Sequence, residues 1–206
     1  HSLMDDFGDI FDWNNSGYTN KVKPEHILWI DFTGLPAAGL GTNGEDSFQG
    51  GHDFVPRLRD EPKDKKGRQG ELKEALAANG HEFGGYGGAS PLPLLADRSS
   101  WDAGDLRYDE TFTQEYEGIP LKFVYCKKLW NLSSEFSPRG NKNENVVMIR
   151  LADIYLMAGE AENELNGPDN AYQYVNKVRE RAFEPDQPWS GMTQSEFRVE
   201  MQEERM

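Results

Sequence analysis

Four side chains have the types and surroundings to act together on a ligand: Tyr86, Trp101, Asp102 and Trp130. A neutral sugar offers apolar faces that stack on aromatic rings, and hydroxyls that bond carboxylates, amides and guanidinium groups. Aromatics beside a carboxylate on polar loops therefore make a set suited to oligosaccharides. Trp101 lies in Ser99-Ser-Trp-Asp-Ala-Gly-Asp105, whose polar flanks predict a partly exposed ring open either to sugar stacking or to local packing. Trp130 closes an extended stretch just before Asn131, where a core position competes with ligand contact. Trp13 and Trp29 read as core residues. Asp105 and Arg107, two positions apart, read as a structural pair that braces its loop through charge-assisted hydrogen bonds.

Catalysis is the weaker reading of the same stretch. Asp102, Asp105, Asp109 and Glu110 could supply the paired carboxylates of a glycoside hydrolase. Carboxylates clustered on a polar loop are ordinarily solvated, and with only four histidines no Ser-His-Asp order or His-x-x-x-His pair emerges. The expectation is a binding protein with no catalytic residue, no metal and no cofactor. Asp12-Trp-Asn14-Asn-Ser16-Gly17 opens like a calcium loop, but Lys23 stands where the bidentate Glu is required. From Gly80 to Gly88 five glycines fall in nine residues, which forfeits too much backbone entropy for a regular element, so this is a loop. Gly84-Gly-Tyr-Gly87 within it lacks the incoming strand and the following Lys or Ser/Thr of a phosphate cradle.

Charge narrows the ligand further. The formal net charge is -14 over 206 residues, and a nucleic-acid binder needs a Lys/Arg patch that neutralises phosphates, so no nucleic acid is expected. The same balance disfavours an anionic membrane surface and leaves neutral oligosaccharides, cations and proteins open. Cys126 is the single cysteine, which excludes an internal disulfide; in Leu121-Lys-Phe-Val-Tyr-Cys126 it reads as a small buried hydrophobe. No run approaches the ~20 apolar residues of a membrane-spanning helix.

The elements that must position these groups follow from periodicity. With 36% hydrophobic and 28% charged residues, 21 Gly and 11 Pro, long irregular connections are expected between helices. Leu3, Met4, Phe7, Ile10 and Phe11 suggest a short helix end, Glu25 to Thr33 a strand, Arg57 to Arg68 a solvated charged loop, and Glu71 to Asn79 a short helix stopped by Gly80. Residues 146–182 carry the clearest pattern. Ile149, Leu151, Ile154, Tyr155, Ala158, Ala161 and Leu165 fall on one helix face, Gly167 and Pro168 end that helix and start another, and Ala171, Tyr174, Val175, Val178 and Ala182 form the second stripe. The result is an αα-hairpin with small residues Ala158, Gly159 and Ala161 allowing close approach. Thr193 and Glu196 form a capping box for a last helix, whose amphipathic pattern runs through Phe197 and Met201 to Met206 with no stop signal, as in a piece of a longer chain.

These segments together carry a family resemblance. Val147-Met-Ile-Arg-Leu-Ala-Asp-Ile-Tyr-Leu-Met-Ala-Gly-Glu-Ala-Glu162 resembles the signature helix of SusD/RagB proteins, with Asp153 and Gly159 as mild departures. Ala171 to Ala182 is similar to the family's Asn-x-Val-Arg-x-Arg-Ala helix, and Thr193 to Arg205 to its Glu-Arg segment. Upstream, Gly84-Gly-Tyr-Gly, Ser90-Pro91 and Asp105-Leu-Arg107 look like its glycine-aromatic loop and Asp-x-Arg motif. The resemblance implies a mainly α fold of tetratricopeptide-like hairpins with a large loop-rich part and a few short strands. It divides the chain into a loop-rich ligand-binding region at 1–145 and a helical hairpin region at 146–206. It also implies oligosaccharide capture for a TonB-dependent, SusC-like transporter, at the outer membrane surface and through a lipid anchor. The alternative is a peptide- or protein-binding tetratricopeptide-like module.

Overall fold

The computed structural model describes residues 1–11, 23–30, 51–63, 69–78, 84–130 and 146–205. Trp13, most of the calcium-like stretch, the residues from 31 to 50, the end of the charged loop (64–68) and the start of the glycine loop lie outside the described residues. Among those described, the order is β1 (His26–Ile30), α1 (Gly51–Phe54), α2 (Gly70–Ala78), α3 (Pro93–Ala96), α4 (Arg107–Thr111), β2 (Phe112–Tyr116), β3 (Ile119–Cys126), β4 (Val146–Arg150), α5 (Leu151–Asn166), α6 (Pro168–Ala182) and α7 (Gln194–Glu204). The fold is mainly helical, with short strands and long connections.

The helical hairpin forms as its sequence dictates at the turn. Gly167 has φ +87°, a conformation costly to any residue with a Cβ, and Pro168 supplies the pre-set φ of a first helical position. Ala171, Val175, Val178 and Ala182 of α6 are buried, as the spacing requires. α7 begins with the capping box: the Glu196 amide donates to Thr193 Oγ1 at 3.2 Å, and the Thr193 amide donates to Glu196 Oε2 at 2.8 Å. Phe197 and Met201 of α7 are essentially inaccessible and pack with Ala152, Leu156, Val175 and Trp189 in one core. Full burial of a side chain such as Phe197 contributes about 1.5–3 kcal/mol.

Two expectations for α5 need correction. Residues Val146 to Arg150 are a strand, not the first turn of the helix, because β4 pairs antiparallel with β1 (His26 opposite Arg150, Ile30 opposite Val146) and the β-branched Val146, Val147 and Ile149 suit that ladder. The helix therefore starts at Leu151, after the Arg150 amide donates to Asp153 Oδ2 at 2.8 Å. Its buried face is Ala152, Leu156, Gly159 and Asn163, whereas Ile154, Met157 and Leu165 are exposed. Apolar residues nearly encircle the first three turns, so the partner decides the phase: Met201 Cε and the Phe197 ring sit 3.6 and 3.8 Å from where a Gly159 Cβ would be.

A second, smaller core gathers Val55, Leu72, Leu76, Leu121, Tyr125 and Trp130 under the β2–β3 hairpin. Its turn uses Glu117 and Gly118, both at positive φ (50° and 77°), the signature of a primed hairpin turn. Cys126, at the end of β3, is buried, and that burial pushes its thiol pKa up, which suits an inert packing role. Trp29 on β1 is half-buried.

Candidate functional site: an aromatic-rimmed cavity over an ion network

Trp101 is fixed by local chemistry before any ligand is considered. Pro93 opens the single turn of α3, and Asp97 then caps a 3-10 turn at Arg98–Ser100, accepting from the Ser99 amide at 2.9 Å and its hydroxyl at 2.8 Å. Those two bonds, the backbone one first, hold the Asp97 carboxyl below its usual pKa. Arg98 Nη1 donates to the Asp102 carbonyl at 3.1 Å, and the Trp101 indole Nε1 donates to the Leu95 carbonyl at 2.9 Å. Edge-on contacts with Tyr108 (5.7 Å) and Phe112 (6.0 Å) complete the support. The ring is half-buried and braced, while the Asp102 carboxylate beside it is 66% exposed.

Both residues line a cavity of about 380 Å³, within the range of small-ligand sites. Leu94, Lys128, Arg179 and Trp189 share the lining. Below the rim runs a chain of charges. Asp102 Oδ2 lies 3.7 Å from Arg179 Nη2, Arg179 Nη1 binds Glu204 Oε2 at 2.5 Å, Arg107 Nη1 binds Glu204 Oε1 at 2.5 Å, and Arg107 grips Asp105 at 2.7 Å. Glu204, Asp105 and Arg179 side chains are all at least 95% buried. Burial alone would weaken the hold of Arg107 on its proton, but the Asp105 hydrogen bond and the charge of Glu204 more than offset it and raise its pKa. The Arg179 guanidinium also lies 4.0 Å from the Phe183 ring centroid and 5.0 Å from that of Trp189.

Backbone geometry brings the network together. The Leu106 amide donates to the Ala182 carbonyl at 2.8 Å and the Glu184 amide to the Gly104 carbonyl at 3.0 Å, so residues 104–106 run against 182–184. Gly104 is required there: its φ is +85°, and a Cβ would stand 2.6 Å from the Glu184 carbonyl oxygen.

The four residues singled out from the sequence occupy three places. Trp101 and Asp102 meet at the cavity. Tyr86, 57% exposed, sits on a loop whose Gly85 and Gly87 amides donate to the Pro56 and Val55 carbonyls at 2.8 and 3.1 Å, outside the lining of the cavity. Trp130 is 8% exposed: its indole donates to the Phe54 carbonyl at 2.6 Å and Tyr116 and Tyr125 stand edge-on at 5.9 and 6.1 Å, leaving little ring surface to a ligand. Asp105 and Arg107 form the pair their spacing suggests. Arg179, Glu204, Lys128 and Trp189 were not legible as site residues, although Glu204 belongs to the Glu-Arg segment and Arg179 is the first Arg of the Asn-x-Val-Arg-x-Arg-Ala pattern. Its neighbour in that pattern, Arg181, serves a second buried knot, where it and Arg150 pair with the fully buried Glu25. Among the described residues no group of three or more His, Cys, Asp or Glu is placed to hold a metal ion, and no helix is long and apolar enough to cross a membrane.

A helical hairpin closed by a third helix, with loops that carry a braced aromatic over a buried Arg-carboxylate network, defines a class of loop-decorated helical proteins with a ligand-sized hollow. Residues 80–206 match the SusD family, and the whole chain is 40% identical to SusD-like protein P25 of Formosa agariphila, of which it covers 40%. The chain belongs to the SusD family. Its fold is similar to that of a SusD superfamily protein from Parabacteroides distasonis (TM-score 0.65, 18% identity, 100% of this chain and 40% of the other). It is also similar to surface glycan-binding protein A from Bacteroides uniformis (TM-score 0.60, 18% identity, 97% and 37%). The chain thus spans about 40% of the length of these relatives.

Proposed function

We propose that the protein captures oligosaccharides at the cell surface and leaves them chemically unaltered. The observation that carries this is the Trp101 ring, half-buried and immobilised at the rim of a cavity with the exposed Asp102 carboxylate beside it. A rigid aromatic platform binds a sugar face with little loss of side-chain entropy, and a neighbouring carboxylate accepts from hydroxyls. A relative of similar fold bears the name of a surface glycan-binding protein, and the family lends the same weight to a binding role rather than a catalytic one. Tyr86, exposed on its braced loop, is a second platform for a longer chain; Trp130 supports the fold beneath it. On this reading the protein sits on the outer membrane, held by a lipid anchor, and hands its cargo to a TonB-dependent, SusC-like transporter.

The test is an affinity-gel and glycan-array screen of the protein and of Trp101→Ala. Loss of at least about tenfold in affinity, some 1.4 kcal/mol, with an unchanged circular dichroism spectrum would support the site. Unchanged affinity in the variant would move the site elsewhere, and no binding to any glycan would sink the reading. The exposed Ile154, Met157 and Leu165 on α5 favour, as a second reading, docking of an apolar peptide or protein segment; Leu165→Glu would abolish that docking and leave glycan binding intact.

A further inference from the structure

Every guanidinium that lines the cavity has a carboxylate partner. Arg107 and Arg179 share Glu204, with Asp105 and Asp102 as further partners; Arg150 has Glu25 and Asp153, and Arg205 has Glu160 at 3.6 Å. Lys128 also lines the cavity, and among the described residues no carboxylate lies within 4.0 Å of its ammonium. Glu200 and Glu203, which line the cavity too, are beyond that distance. The Lys128 Nζ lies 5.5 Å from the centroid of the Phe11 ring, and it stands where the cavity meets a smaller hollow lined by Gly8, Phe11, Glu110, Lys127 and Trp130, in which the Glu110 carboxylate pairs with Lys127 at 3.9 Å.

A largely desolvated ammonium without a carboxylate is costly unless something supplies the counter-charge. Burial lowers its pKa; Cys126 opposes that shift and the Arg150 and Arg107 charges add to it. We propose that Lys128 is an anion-binding residue of the cavity and that the sugar captured there is acidic, carrying a carboxylate or sulfate ester that lands on its Nζ. This rests on the oligosaccharide-binding reading above and names the class of sugar. The net charge of -14 does not oppose it, because at physiological salt fields beyond ~8 Å are screened, while a single ammonium acts inside the cavity at close range. Trp101 supplies the stacking face and Lys128 the charge, which lets the site reject a neutral analogue by leaving the cation without a partner.

The experiment is isothermal titration of the purified protein with three sets of oligosaccharides matched in length: neutral, uronate-containing and sulfated. Lys128→Met and Lys128→Arg are titrated beside wild type, each checked by thermal melting. The expected result is preference for one charged set, a loss of roughly 10- to 150-fold in Lys128→Met, as for a charge-assisted hydrogen bond, and recovery in Lys128→Arg. The two charged sets tell carboxylate from sulfate. Equal affinity for neutral and charged sugars, unchanged in Lys128→Met, would overturn the inference and leave oligosaccharide capture standing. Binding of none of the three sets by wild type would overturn both.

Discussion

At the scale of single residues, Glu204 is the carboxylate on which the site floor depends. Both its oxygens are taken by guanidinium groups at 2.5 Å, and its side chain is 1% exposed. Removing one partner of a buried pair leaves uncompensated charge, at a cost of about 3–5 kcal/mol, so Glu204→Gln is expected to lower the urea midpoint with an unchanged m-value; a shift below 1 kcal/mol would contradict the role. His26 gives a pH-dependent counterpart. Its burial, and then the Lys23 charge, lower its pKa to about 4, and its Nδ1 accepts from the Lys23 amide at 3.2 Å. The folded state therefore holds the imidazole neutral while the unfolded chain protonates near pH 6.5. Its contribution is complete above pH 6.5 and is lost as pH falls towards 4, by up to about 1.4 kcal/mol per pH unit. Comparing unfolding curves at pH 7 and 5 for wild type and His26→Asn, which keeps an acceptor, isolates this slope; parallel losses in both proteins would assign it to other groups.

Helices and turns show which parts of the fold could be read in advance. The α6 stripe, the Thr193–Glu196 box and the Gly167-Pro168 junction are local rules, and each is met within a few residues. The face of α5 is not local: with apolar residues on most sides of its first turns, the residues packed against it, Ala171, Val175 and Val178 of α6 and Phe197 and Met201 of α7 more than thirty positions later, choose Ala152, Leu156 and Gly159. The strand at Val146 escaped for the same reason, since its partner lies some 120 residues upstream. The cavity floor was out of reach, Arg107 and Glu204 being 97 residues apart, whereas Trp101 and Asp102 were accessible through their polar neighbours. Two glycines give opposite expectations at this scale. Gly159→Ala places its Cβ at ordinary contact distance, 3.6 Å from Met201 Cε, and gains helix propensity, so it is expected to stabilise by up to about 1 kcal/mol. Gly104→Ala meets the Glu184 carbonyl at 2.6 Å and is expected to cost at least about 1–3 kcal/mol. Thermal melts of the two variants that shift in the same direction would contradict this account.

Across the whole molecule, distant segments are joined by charge as well as by apolar packing. Glu25, with no exposed surface, accepts from the Met4 amide at 3.1 Å and pairs with Arg150 at 3.3 Å and with Arg181, so one carboxylate ties the N-terminal segment, the start of α5 and the end of α6. Its own carbonyl accepts from the Leu151 amide at 2.8 Å. Glu25→Gln is expected to accelerate hydrogen exchange at Met4 and Leu151 together, and not at the β2–β3 hairpin, which packs on a separate core. Exchange that rises only at Met4 would show that the junction of β4 and α5 holds without the carboxylate.

The Arg179 guanidinium faces two ways, towards Glu204 on α7 and towards the exposed Asp102 at the rim. Occupancy of the hollow and the integrity of the last helix are therefore thermodynamically linked. A ligand that bonds Asp102 or covers Arg179 adds RT ln(1 + [L]/Kd) to the stability of the fold, about 2.7 kcal/mol at a hundredfold excess over Kd. The unfolding temperature thus becomes a readout of occupancy for a ligand of any composition, needing no label on either partner.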